Sequence, residues 1–150
     1  MSILDGSKGV VTAAAGADAD FEYLTLSENH CMAHNEEYSF FKTADGVRIE
    51  HNMVSISYGS EPERSAALQK GIDGDKALYE KIKTALAKDC HILSWDGFHG
   101  SDPNVLDGTS FSFEMKLADG KVISAGGTNS FPNGYRELTA LFNELLYPKN

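Results

Sequence analysis

The densest run of chemistry-bearing side chains is His30-Cys31-Met32-Ala33-His34-Asn35-Glu36-Glu37. In a helix, His30 and His34 would stand one turn apart on one face, a spacing that can chelate a divalent metal. Cys31 and Glu37 could supplement them. A second polar stretch carries Asp96, His99 and Asp102. If the two stretches meet, His30, His34, His99 and Asp102 make a mixed imidazole–carboxylate site suited to zinc, iron or manganese, with Asp102 or Glu37 as a further ligand or base. The chain holds no His-Glu-x-x-His and no Cys-x-x-Cys, so the competing reading is a set of solvated loop residues with no cofactor.

Trp95-Asp96-Gly97-Phe98-His99-Gly100 places the single tryptophan and a phenylalanine beside glycines at the mouth of a long polar connection. Trp95, Asp96, Phe98 and His99 there suggest a surface for a ligand or a protein partner. The alternative is that Trp95 plugs the core and Phe98 folds back over it.

Other catalytic arrangements are poorly served. Cys90 sits beside His91, but neighbours on a strand point to opposite faces and cannot act as nucleophile and base. Cys31 has no adjacent Lys or Arg to activate it. Gly126-Gly127-Thr128-Asn129-Ser130 precedes a helix, where backbone N–H groups can hold an anion. It lacks the spacing of a phosphate-binding loop, and Ser130 or Asn129 is equally a helix cap. No Gly-x-Ser-x-Gly elbow occurs, and the acidic turns near Asp102 and Asp107 fail the EF-hand spacing.

The elements that must position these residues belong to one domain. The chain has 150 residues, 41% hydrophobic and 23% charged, as expected of a globular domain with a single core. A formal net charge of −9, from 13 basic and 22 acidic residues, disfavours nucleic acid and anionic membranes. The imbalance lies in the first half: residues 1–75 carry 13 acids and 5 bases, residues 76–150 carry 9 and 8. Two cysteines cannot make a disulfide framework. The first residues show no basic-then-apolar export signal and no run approaches a membrane span, so a cytoplasmic location is expected.

Residues 1–20 read as a flexible lead-in or a short edge strand at Val10–Thr12; residues 21–150 read as the folded domain. Strands are expected near 21–26, over 37–43 and from Val47 past Met53, the last with a bulge near Met53–Val54. Glu63–Lys70 reads as a short helix. Asp73 or Asp75 caps the next helix, with Leu78, Ile82, Ala85 and Leu86 as its apolar stripe and Lys83 on the solvent side. Cys90–Trp95 reads as a buried strand. Phe111, Phe113, Met115 and Leu117 alternate with polar residues, and Val122–Thr128 pairs back. A helix opening near Pro132–Asn133 shows Tyr135, Leu138, Leu141, Phe142 and Leu145 on one face.

Asp45-Gly46 and Asp119-Gly120 sit in matching octapeptides, 42–49 and 116–123, each a hairpin turn. The halves 21–89 and 90–150 therefore read as two strand–loop–hairpin–helix repeats or as two ordinary hairpins. The expected architecture is α+β: a twisted antiparallel sheet of about six strands with two main helices on one face. A homodimer joined along the third strand is a further possibility, opposed by Arg48 and Glu50 on that strand.

From Trp95 to Leu146 the residues Trp95, Gly97, Phe98, Val105, Leu106, Asp107, Gly108, Ser110, Phe111, Asp119, Gly120, Gly127, Asn129, Phe131 and Pro132 form a pattern. It reads Trp-x-Gly-Phe, Val-Leu-Asp-Gly-x-Ser-Phe, an Asp-Gly hairpin, then Gly-x-Asn-x-Phe-Pro before a helix. This third of the chain resembles a group of uncharacterised bacterial proteins, many from gut-dwelling anaerobes. The resemblance implies the hairpin–helix arrangement and no particular activity, and it does not reach His30 or His34.

Two functions follow from these readings. One is a non-enzymatic binding or interaction module using the loop end formed by residues 27–36 and 96–108. The other is a metal-dependent enzyme with its His and carboxylate site in the same loops.

Overall fold

A computed structural model describes residues 19–30, 35–56, 64–102 and 108–149. The lead-in strand at Val10–Thr12, Cys31, His34, and Val105, Leu106 and Asp107 lie outside the described residues. The order is β1 (Phe21–His30), β2 (Asn35–Lys42), β3 (Gly46–Ile56), β4 (Arg64–Asp75), α1 (Lys76–Lys88), a 3-10 turn (Ile92–Ser94), β5 (His99–Ser101), β6 (Thr109–Leu117), β7 (Val122–Thr128) and α2 (Tyr135–Leu146).

The seven strands form one sheet in the order β4-β3-β2-β1-β6-β7-β5. Every pairing is antiparallel except that of β5 with β7. The α+β expectation holds, with a parallel edge strand added.

Both helices pack on one face, over a single apolar cluster. Period two selects that face: Leu24 and Leu26 on β1, Tyr38 and Phe40 on β2, Ile49 and His51 on β3, Phe111, Phe113 and Met115 on β6. Leu138 and Phe142 of α2 are fully buried against it, with Phe142 stacked 4.1 Å from Phe40.

A register shift at Glu22 puts Phe21 on the same face as Leu24, where simple alternation predicts opposite faces. The other irregularity falls at His51/Asn52, not at Met53–Val54, and its extra residue is Gln69 of β4.

Several sequence expectations are corrected. Glu63–Lys70 is not a helix; from Arg64 it is strand β4, because pairing along β3 outweighs the helix propensity of Ala-Ala-Leu-Gln-Lys. That pairing also makes β3 internal, so a dimer cannot join along it. Cys90–Trp95 is a 3-10 turn entered through His91 in the left-handed region, at φ 53°. Lys83 is buried, paired with Glu80 at 3.0 Å and lying over the Tyr79 ring. The α1 stripe is therefore Tyr79, Ile82, Lys83 and Leu86, capped by Asp75.

The halves do not share a topology. In the first, β1 lies antiparallel beside β2, the leading strand of its hairpin; in the second, β5 lies parallel beside β7, the trailing one. The matching octapeptides also turn differently: in the first, Thr43 and Gly46 bond to each other, whereas in the second the Leu117 N–H donates to the Lys121 carbonyl and Gly120 is left-handed at φ +96°.

Candidate functional site

Alternation on β1 does not stop at Leu26. It continues as Glu28 and His30 on the helix-bearing face, and β2 answers with Glu36 in line with Tyr38 and Phe40. The described end of the β1–β2 hairpin thus carries two carboxylates and an imidazole on the face that elsewhere forms the core.

Glu28 and Glu36 are cross-strand partners, and His30 is two residues beyond Glu28 on β1. Paired side chains stand about 5 Å apart at Cβ and same-face neighbours along a strand about 6.7 Å, within reach of all three. Nε2 of His30 lies 3.4 Å from Oε1 of Glu28 and 3.1 Å from Oε2 of Glu36. One ligand atom from each residue falls within 4.8 Å of the others.

A second ring of groups fixes these three. The Tyr135 hydroxyl donates to Oε2 of Glu28. Oγ1 of Thr109 is 3.2 Å from Nδ1 of His30, and the backbone N–H of Thr109 donates to Oδ1 of Asn129 at 3.0 Å. Oε1 of Glu36 is 3.0 Å from Nε2 of His51, whose Nδ1 is 2.7 Å from the Tyr147 hydroxyl. The Tyr38 ring stacks on His51 at 4.4 Å. A polar chain therefore runs Tyr135–Glu28–His30–Glu36–His51–Tyr147, from the first turn of α2 to the residue that closes it.

Burial, then the Glu28 carboxylate, push the Tyr135 phenol well above its ordinary range. Burial and Glu36 do the same to Tyr38 and, more weakly, to Tyr147. Tyr135 and Tyr38 stay protonated and donate to Glu28 and Glu36.

Beside the chain lies a groove of about 640 Å³ whose lining includes Glu28, Tyr38, Phe131, Tyr135, Arg136 and Asn143. Its rim depends on Trp95, whose indole N–H donates to the carbonyls of Cys90 and Asn133 at 3.0 and 2.9 Å. Gly134 is needed there: its φ is +94°, and a Cβ would run into the Cys90 carbonyl. Gly134, rather than Ser130 or Asn129, occupies the cap position of α2.

The sequence-predicted surface is only partly a surface. Trp95 is fully buried and belongs to the core, stacked 5.9 Å from Tyr135. Phe98 is half-buried against the same cluster, its ring 6.2 Å from Phe111. Asp96 is exposed and accepts the Ser124 N–H at 3.1 Å, so it ties the loop to β7. His99 is exposed on the edge strand β5.

Nor does the predicted metal set assemble as written. His30 is on β1 and His99 on β5, three strands away across β6 and β7, or about 14 Å at ordinary strand spacing. Asp102 follows β5 on that far edge, its N–H donating to the Thr128 carbonyl. Such a separation cannot be bridged by one ion. Glu37 points to the opposite face from Glu36 and approaches Ser27 at 3.2 Å. Cys90, buried with its thiol pushed up to about 12, is no nucleophile. Sequence reading missed Glu28, His51, Tyr135 and Tyr147; the signal for Glu28 was an unbroken period of two through residues 24–30.

No described helix is long and apolar enough to cross a membrane. Comparison with family models, curated proteins and solved structures finds no match for this chain.

Proposed function

We propose that the chain is a non-enzymatic binding module that takes a small polar ligand in the groove beside the first turns of α2. The observation carrying this reading is the groove's construction. It joins the exposed ring of Phe131, beside the buried rings of Tyr135 and Tyr38, to a carboxylate, Glu28, that the Tyr135 hydroxyl holds in place. Its volume of about 640 Å³ falls within the range of small-molecule sites. The exposed Phe131 ring offers a platform for a planar group, and Glu28, Asn133, Arg136 and Asn143 offer hydrogen bonds to orient it.

The test is a fragment screen by NMR on the full chain in excess chelator. Saturable shifts centred on residues 131–139, weakened at least about tenfold by Phe131→Ala, support the reading. Saturable binding centred elsewhere, or none up to about 1 mM, refutes it.

A further inference from the structure

We infer that Glu28, His30 and Glu36 form a binding site for one divalent transition-metal ion. Bonds of about 2.0–2.2 Å to one ion put neighbouring donor atoms about 3.0 Å apart at octahedral angles and about 3.4 Å at tetrahedral ones. The separations from His30 Nε2 are 3.4 Å to Glu28 and 3.1 Å to Glu36. One imidazole and two carboxylates suit manganese, iron or zinc better than the softer or all-oxygen ions.

The supporting contacts match what a metal site requires. Each ligand is held through its other polar atom: Glu28 by Tyr135, His30 by Thr109, Glu36 by His51. Thr109 at Nδ1 directs Nε2 toward the carboxylates. A charge of +2 would offset the two carboxylates that the fold places as cross-strand partners.

An ion also has a way in. The side chains of Glu28 and Glu36 are 12% and 17% exposed, while His30 is 30% exposed. Three protein ligands leave coordination positions open, and Glu28 lines the groove as well. The site stands on the triad alone and does not depend on what the groove holds.

The experiment titrates tag-free, chelator-stripped full chain with manganese, cobalt or zinc alone by calorimetry. One ion per chain is expected, with affinity reduced at least about tenfold by Glu28→Gln and by Glu36→Gln, and unchanged in His99→Ala. Copper loading of the unaltered chain should give electron paramagnetic resonance with coupling to an imidazole nitrogen, a readout that survives if a variant misfolds. Absence of saturable binding up to about 1 mM, equal affinity in both folded carboxamide variants, or a copper spectrum without nitrogen coupling overturns the site. Because no groove ligand is present here and no metal is present in the fragment screen, each reading can fail without the other.

Discussion

The Tyr147 hydroxyl stands 2.7 Å from Nδ1 of His51, so the end of α2 is fastened to β3, the strand next to one edge of the sheet. Tyr135 fastens its beginning by donating to Glu28. Between these anchors, His30 and Glu36 complete one connected polar chain on an otherwise apolar face. Helix packing and site geometry are thus set by the same side chains.

The two anchors should differ in weight. Tyr135 is buried and donates to a carboxylate, whereas Tyr147 is 44% exposed. Tyr135→Phe should cost about 1.5–3 kcal/mol of unfolding free energy and Tyr147→Phe about 0.5–1 kcal/mol. Urea denaturation measures both; equal losses would contradict the chain as drawn.

Trp95 is the only tryptophan, and it is fully buried with its indole N–H bonded to two carbonyls. Its fluorescence should be blue-shifted and resist quenching by iodide. Trp95→Phe should cost about 2–4 kcal/mol, from the lost volume and the orphaned carbonyls of Cys90 and Asn133. Emission like that of free tryptophan would place it at the surface after all.

Burial, followed by Asp89 and Glu137, raises the Cys90 thiol from 9.0 to about 12. A raised folded value means stability that is whole below about pH 9 and is lost as pH climbs through about 12. Tyr38, Tyr79 and Tyr135, raised chiefly by burial, add to the same alkaline loss. Urea midpoints should hold steady near neutrality and fall above about pH 9. In a Cys31→Ser background, Cys90 should react with thiol reagents only at the rate of unfolding; fast labelling of folded protein would contradict its burial.

Alanine at Phe98 and at His99 separates packing from exposure. His99→Ala should change stability by less than about 0.5 kcal/mol, and Phe98→Ala should cost about 1–3 kcal/mol. Thermal or urea unfolding of the two variants checks the contrast.

Much of the fold was readable because its signals are local. The Asp-Gly turns, the clean alternation from Phe111 to Leu117 and the stripe of α2 each specify an element without help from distant residues. What escaped depends on partners. Arg64–Asp75 carries helix-favouring residues and becomes a strand because β3 requires an edge partner. Cys90–Trp95 is short and apolar, a pattern that a 3-10 turn and a buried strand share.

The site was half-legible for a related reason. His30 was found by its chemistry, but Glu28 and Glu36 were given no role, because hydrophobicity ends at Leu26 and the residues beyond it read as a polar loop where two paired strands run on. His51, Tyr135 and Tyr147 lie far apart in sequence and meet only because α2 crosses the sheet. His99 and Asp102 were grouped with His30 on the condition that the two polar stretches meet, and β6 and β7 stand between them.

Anomalous diffraction from crystals of the full chain grown with zinc shows directly whether Glu28, His30 and Glu36 hold an ion. A single strong peak within bonding distance of Glu28, His30 and Glu36, about 2.0–2.2 Å from each ligand atom, is the result this account predicts. A well-ordered triad with no peak, or zinc held only at other residues, would contradict it.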